Sequence, residues 1–193
     1  MSRWQPDAQG RLAEAALELY REHGYDQTTV AEIAARAGLT ERTFFRYFAD
    51  KREVLFYGSE RFRAVIVDAL HAVPKSVAPF AAVIAALEAA STFIEEHAGH
   101  AGARKRSAVI ASHAELLERE LIKLASVAAA MSEKLRARGV KEPAASLAAE
   151  AGIAVFKIAF ERWLEDKKPR PLAQQLRASV AALQQVTASE AVP

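Results

Sequence analysis

Apolar residues recur at spacings of three and four along most of this 193-residue chain, and β-branched residues never form an alternating run. That period is typical of amphipathic helices and not of strands. Alanine is the commonest residue and glycine is sparse, so side-chain propensities also favour helix. We therefore predict an all-α chain without a sheet, whose 51% of hydrophobic residues can form the core of one long or two short domains.

Composition excludes several classes of protein. The absence of cysteine excludes disulfides and cysteine-type zinc sites, and it suits a reducing compartment. The most membrane-like stretch, residues 76–87, is far shorter than the roughly 20 residues that cross a bilayer. The first seven residues lack the apolar run of a secretory signal. We expect a soluble, cytoplasmic protein with flexible tails at 1–7 and 189–193.

Helix start and stop signals near the N-terminus predict three short helices. After a first helix over 11–23, Thr29 and Glu32 fit a capping box that opens the second. A turn at 38–40 separates it from a third helix over 41–48. Two short helices joined by a glycine-containing turn form the helix-turn-helix arrangement, whose second helix enters the major groove of DNA.

The third helix is predicted to present a polar face to DNA. Phe44 and Phe48 are expected to turn inward. Arginine can contact guanine with two hydrogen bonds, and threonine can contact a phosphate, a base edge or a thymine methyl. Hydroxyl and amino groups at helix starts favour phosphate, which positions a protein without reading sequence. The predicted DNA-contacting residues are Arg42, Thr43 and Arg46 on the outer face, and Thr29, Thr40, Tyr47 and Lys51 at or beside helix starts.

Charge supports this assignment only locally. Residues 1–60 carry more acidic than basic side chains, so a globally basic footprint is absent. Residues 36–52, however, carry five basic side chains and two acidic ones, where the phosphates are expected. We therefore expect a modest dependence of DNA affinity on salt.

A set of short motifs carries a family resemblance. They are Ala15-Ala16-Leu17-Glu18-Leu19-Tyr20, Gly24-Tyr25, Thr28-Thr29-Val30, Ile33-Ala34, Ala37-Gly38-Leu39-Thr40, Thr43-Phe44-Phe45-Arg46-Tyr47-Phe48 and Lys51-Arg52-Glu53-Val54-Leu55. Together they resemble the DNA-binding domain of the TetR family of bacterial transcriptional regulators. The resemblance implies a helix-turn-helix domain at 8–56 and a helical effector-binding and dimerising domain at 57–188, with ligand binding releasing DNA. One departure is Phe45, where the family commonly has tyrosine, so a phosphate contact from that hydroxyl is not implied.

Beyond the resemblance, the apolar pattern predicts further helices at about 51–71, 77–98, 112–138, 144–166 and 171–186, with a chain break at 99–102. An effector pocket is expected between the first three of them. Its candidate lining is Phe62, Ile66, Phe80, Ile84, Leu87, Phe93, Leu117 and Leu121, which are otherwise ordinary core residues. An apolar lining favours a small lipophilic effector. Residues 104–106 are either a contact for an anionic group or a solvated loop.

The last two helices carry apolar stripes that need facing helices. The stripes consist of Ile153, Phe156, Phe160 and Trp163, and of Leu172, Leu176, Val180 and Leu183. Two copies of the pair can form a four-helix bundle across a two-fold axis, which is how the family usually dimerises; the alternative is burial within one subunit. A homodimer would bind double-stranded DNA with a pseudo-palindromic operator.

Other functions have weaker support. Glu95, Glu96, His97, His100 and His113 lack a His-x-x-x-His pair, so we predict no metal site. No nucleotide-binding glycine motif or nucleophile elbow occurs, so we predict no enzyme and no cofactor. The leading hypothesis is a ligand-responsive homodimeric repressor. The alternatives are a helical small-molecule sensor or carrier without operator binding and, third, a metal-dependent helical enzyme.

Overall fold

A computed structural model describes residues 7–188. These residues form no strand, which confirms the predicted all-α class. They form nine α-helices and one 3₁₀ helix, Glu53–Phe56. The α-helices are α1 Ala8–Glu22, α2 Val30–Arg36, α3 Glu41–Tyr47, α4 Ser59–Ala72, α5 Pro79–His97, α6 Gly99–Ala111, α7 Ala114–Ala137, α8 Ala144–Glu165 and α9 Leu172–Thr187. The predicted tails lie outside the described residues, apart from Asp7, whose carboxylate accepts a hydrogen bond from the backbone of Gly10 and caps α1.

The predicted helix from residue 51 to 71 is interrupted. The carboxylate of Asp50 accepts hydrogen bonds from the backbone N–H groups of Arg52 and Glu53, as a cap does, but only the short 3₁₀ helix follows. Gly58 then has a φ of +87°, a backbone conformation that residues other than glycine rarely adopt. A new helix, α4, begins at Ser59.

The predicted break at residues 99–102 is confined to the junction of two helices. Helix α5 ends at His97, and α6 begins at Gly99, whose φ is +61°. Gly102 lies inside α6, which continues to Ala111, so residues 104–106 are helical and do not form a solvated loop. Glycine in a helix interior costs about 1 kcal/mol relative to alanine, so two close glycines in a sequence favour a longer break than the structure has.

The chain divides into two compact units that no single cut separates. Among the described residues, the first contains residues 7–59 together with Arg104–Glu120. The second contains Glu60–Ala103 and residues 121–188. A boundary after residue 56 therefore approximates the first unit but does not anticipate that the turn between α6 and α7 belongs to it. In the first unit Val109, Ile110 and Leu116 are buried with side chains of α1, α2, α3 and the 3₁₀ helix.

The second unit is built around α5, α8 and α9. Gly152 lets α8 approach α5 closely, because a Cβ atom there would lie 2.3 Å from a methyl carbon of Val83. Glu95 of α5 accepts a hydrogen bond from the first backbone N–H of α9, at Leu172. Gly152 thus lies at the contact of α8 with α5, and Glu95 lies at the contact of α5 with α9.

The stripes predicted to form the dimer interface lie inside this unit. Ile153, Phe156, Trp163, Leu172 and Leu176 are buried in its core. Phe160, Val180 and Leu183 pack against the same core and are partly buried. This burial favours the alternative of packing within one subunit, where α5 supplies the facing helix, because a stripe spaced by three and four suits either arrangement. A part for these residues in dimerisation stays a prediction.

Candidate nucleic-acid interface

The start of α2 is fixed by a complete capping box. The hydroxyl of Thr29 accepts a hydrogen bond from the N–H of Glu32 at 3.2 Å. The carboxylate of Glu32 accepts one from the N–H and one from the hydroxyl of Thr29, each at 2.8 Å. These two bonds hold the pKa of Glu32 below its ordinary value, and the bond from the backbone N–H has the larger effect. The box confirms the predicted start of α2 and leaves the Thr29 hydroxyl at the protein surface.

The turn between α2 and α3 is equally well defined. Gly38 has a φ of +66°, and the N–H of Leu39 donates to the carbonyl of Ala34 at 2.8 Å. The hydroxyl of Thr40 caps α3 by accepting from the N–H of Thr43 at 3.2 Å. Arg36, the last residue of α2, pairs with Glu22 of α1 at 2.8 Å. The two short helices are therefore fixed both to each other and to α1.

One face of α3 is buried and holds the helix in place. Phe44 is fully buried, and Phe48, just beyond the helix end, is nearly so. Their ring centroids lie 5.5 Å apart, and both belong to the core of the first unit together with Ile33. The predicted inward positions of both phenylalanines are confirmed.

The opposite face presents two cations and one phenyl ring. Arg42, Phe45 and Arg46 are exposed and lie three and four residues apart, so they share one side of the helix. Thr43 is only partly exposed, and its hydroxyl lies 3.0 Å from that of Thr40. Phe45 was absent from the predicted contact set; its position three residues after Arg42 is the signal that identifies it.

Arg46 is held in place by its neighbour. Its guanidinium donates to the hydroxyl of Tyr47 at 2.9 Å and lies 4.7 Å from the centroid of the Tyr47 ring. The tyrosine therefore limits the positions open to the arginine while leaving it at the surface. Tyr47 itself is 37% exposed.

Lys51 has a different place from the one predicted. Its ammonium donates to the carbonyls of Tyr25, Asp26 and Thr28 at 2.8, 3.1 and 3.0 Å. Because an ammonium has three donors, these bonds use all of them. In the structure Lys51 therefore holds the loop before α2, and its phosphate contact stays a prediction.

The turn between α6 and α7 is joined to the helix-turn-helix by charged pairs that sequence reasoning missed. Arg106 donates to the carbonyl of Leu55 at 2.6 Å. Its guanidinium also forms a bidentate ion pair with the carboxylate of Glu120, at 2.9 and 3.1 Å. Arg119 pairs with Glu53. The basic residues at 104–106 signalled a charged partner, but only the fold reveals that Arg106 finds it inside the first unit.

Comparison with known proteins agrees with this geometry. Residues 12–57 match the model of the bacterial regulatory proteins of the tetR family. Residues 12–57 therefore form a DNA-binding domain of the tetR type. The matched residues include the capping box, the turn and α3, so the TetR assignment rests on the elements described above.

Two relatives and one solved structure show how far the similarity extends. The chain is 37% identical to the regulator TcmR of Streptomyces glaucescens over 79 residues, 41% of this chain and 35% of TcmR. It is 34% identical over 106 residues, 54% of this chain and 52% of the relative, to MftR of Mycobacterium tuberculosis, named as a mycofactocin biosynthesis regulator. The chain thus spans about a third to a half of these relatives. SmeT, the efflux-pump repressor of Stenotrophomonas maltophilia, shares the fold with a TM-score of 0.60 at 20% identity, over 96% of this chain and 92% of SmeT.

The predicted effector residues separate into two groups. Ile66 and Leu87 are fully buried in the core of the second unit, and Phe62, Phe80 and Ile84 pack against it. The other three are outside that core. Phe93 is partly exposed with Arg61 over its ring, Leu121 is 45% exposed, and Leu117 is 44% exposed and belongs to the first unit.

A series of aromatic rings extends from α4 into α8. Phe62 lies 5.8 Å from Phe156, which lies 5.9 Å from Phe160, and Trp163 follows at 5.7 Å, all between ring centroids. His100 of α6 meets the edge of Trp163 at 4.8 Å and shares a hydrogen bond with the Trp163 carbonyl. Phe62 and Phe160 are partly exposed and so form the accessible part of the series.

The three histidines of the metal alternative each pack against an aromatic ring. His97 stacks on Phe93, His100 packs on Trp163, and His113 packs on Tyr25 in the first unit. Within residues 7–188 no three histidine or carboxylate side chains are grouped in a way that could hold a metal ion. No helix in the same part of the chain is long and apolar enough to cross a membrane.

Proposed function

We propose that this chain is a sequence-specific DNA-binding transcriptional regulator, most simply a homodimeric repressor that a small molecule releases from its operator. One observation carries the proposal. The seven residues of α3 have a buried face fixed by Phe44 and an exposed face that presents Arg42 and Arg46. A helix held in this way has the form of a major-groove recognition helix.

The two arginines are assigned to bases and the hydroxyl groups to phosphates. Arg42 and Arg46 have the forked donors that match the major-groove edge of guanine. Thr29, Thr40, Thr43 and Tyr47 are expected to position the protein through phosphate oxygens, which carry no sequence information. Thr43 is the weakest of these candidates, because its hydroxyl already faces Thr40.

Dimerisation is assigned to the outer face of α8. Leu147 is 65% exposed and Ile158 is 53% exposed, although both are large and apolar. With Ala151 and Ala154 they form a stripe spaced by four, three and four residues, opposite the buried stripe. Small residues between two large apolar ones allow a second helix to approach, so a second copy of α8 fits this face.

The effector is assigned to the second unit. Phe62 and Phe160 offer partly exposed rings on an otherwise buried aromatic series, which favours a lipophilic ligand. Trp163 lies in the series and reports on it. In a Trp4→Phe background, a saturable change of Trp163 emission with triclosan, the ligand bound in a SmeT complex, or with lauric acid would support the assignment. Unchanged emission with both probes would count against an apolar site at these rings.

The function is tested by selection of genomic DNA fragments with the purified protein at physiological salt. The control is the Arg42→Ala/Arg46→Ala double variant, whose changes lie on an exposed face and leave the core intact. We expect one inverted repeat to be enriched by the wild type alone. Ligand binding without an enriched repeat would instead favour a small-molecule sensor that does not bind an operator.

A further inference from the structure

Phe45 is the most exposed aromatic side chain among the residues that the structure describes, with 56% of its surface accessible. Its ring meets that of Phe44 edge-on, with the centroids 5.4 Å apart and the planes at 80°. Phe44 and Phe48 already supply the rings by which this segment packs into the core. The stability of the helix-turn-helix therefore does not account for a phenyl ring at this position.

The position of the ring limits what it can recognise. It lies beside Arg42 on the exposed side of α3, with Arg46 on the other side of Arg42, and this side is proposed to meet DNA. A phenyl ring has no group that donates to or accepts from a phosphate or the polar edge of a base. The apolar group that a base pair presents in the major groove is the C5 methyl of thymine.

We propose that Phe45 is a specificity-determining residue that reads the C5 methyl group of one thymine in each half-site, beside a guanine contacted by Arg42 or Arg46. This inference rests on the proposed function and deepens it, because it names a base that the two arginines alone do not select. Burying the methyl group against the ring removes apolar surface from water, which is favourable and independent of salt.

The test removes the methyl group and the ring separately. Each thymine of the selected repeat is replaced in turn by deoxyuridine, which lacks only the C5 methyl, and affinity is measured for the wild type and for Phe45→Ala. For the wild type we expect a loss of about fourfold per half-site at one thymine position. For Phe45→Ala the thymine and uracil duplexes should bind equally, because the ring that distinguishes them is gone. Phe45→Leu, which keeps an apolar contact, should retain part of the difference.

Two outcomes would overturn the proposal. One is a wild type that binds every uracil duplex as well as the parent repeat. The other is a Phe45→Ala protein that keeps the full thymine preference. Unchanged thermal unfolding of both variants shows that the comparison is made on folded protein, as expected for an exposed residue. If the wild type enriches no repeat at all, the proposed function itself fails at the earlier selection step, and the reading by Phe45 fails with it.

Discussion

Lys51 and Tyr25 are joined by two contacts at once. The ammonium of Lys51 lies 2.8 Å from the carbonyl oxygen of Tyr25 and 4.5 Å from the centroid of its ring. The backbone carbonyl of Lys51 in turn accepts a hydrogen bond of 2.6 Å from the hydroxyl of Tyr20. Residue 51 therefore connects the loop before α2 to α1. Burial raises the pKa of both Tyr20 and Tyr25, which keeps the two hydroxyls protonated.

Replacing Lys51 by methionine should destabilise the protein without changing how DNA binding depends on salt. The loss of three charge-assisted hydrogen bonds is expected to lower the free energy of unfolding by about 2 kcal/mol, measured by urea denaturation. If Lys51 instead contacted a phosphate, Lys51→Met would reduce the magnitude of the negative slope of log affinity against log salt by about 1. Lys75→Met, at an exposed lysine after α4, is the control for the loss of a positive charge.

Asp50 should make the first unit sensitive to acid. Hydrogen bonds from the Arg52 side chain and from the backbone of Glu53 and Arg52 hold the pKa of Asp50 below its ordinary 3.8. The stability from this depressed pKa is therefore present above pH 3.8 and is lost as the pH falls through the folded-state value. We expect Asp50→Asn to be less stable than the wild type at pH 7, with a difference that shrinks towards pH 3 in urea titrations. A difference that is constant with pH would contradict the assignment.

Two glycines in helices should respond oppositely to alanine. At Gly152 a Cβ atom would lie 2.3 Å from a Val83 methyl carbon, so Gly152→Ala should cost about 1–3 kcal/mol as α8 moves off α5. At Gly102 the nearest atom, the Cβ of Ala98, lies at 3.9 Å, so Gly102→Ala should stabilise α6 by up to about 1 kcal/mol. Thermal unfolding of the two variants side by side tests the close approach of α5 and α8. Equal effects of the two substitutions would refute it.

The two faces of α8 should give different mutant behaviour. Leu147→Glu/Ile158→Glu places charges on the exposed stripe and should convert a dimer to a folded monomer, seen by sedimentation velocity. Phe156→Ala should instead leave the dimer intact and cost about 3–5 kcal/mol of unfolding free energy, because Phe156 is a core residue. A double variant that remains dimeric would place the interface elsewhere.

The sequence predicted the helix-turn-helix more fully than the rest. Thr29, Glu32 and Gly38 act on backbone groups only a few residues away, so their spacing alone determines the cap and the turn. The inward position of Phe44 followed from helical period for the same reason. Local chemistry was sufficient wherever the partner lay within one turn of helix.

Long-range partners were not predictable in this way. The donors of Lys51 bind carbonyls 23 to 26 residues away, and Arg106 binds the carbonyl of Leu55, 51 residues away. The spacing of residues in the sequence does not indicate either partner. The stripe containing Phe156 left its partner open for a related reason, since an apolar period indicates a buried face but not the helix that covers it.

The central claim is that the exposed face of α3 reads a DNA sequence. It is tested most directly by the ratio of affinities for the selected repeat and for a scrambled duplex of equal composition, measured at one physiological salt concentration. For the wild type we predict a ratio of at least about 10³, falling towards 1 for Arg42→Ala/Arg46→Ala while both proteins unfold at the same temperature. A double variant that keeps the wild-type ratio would contradict the account.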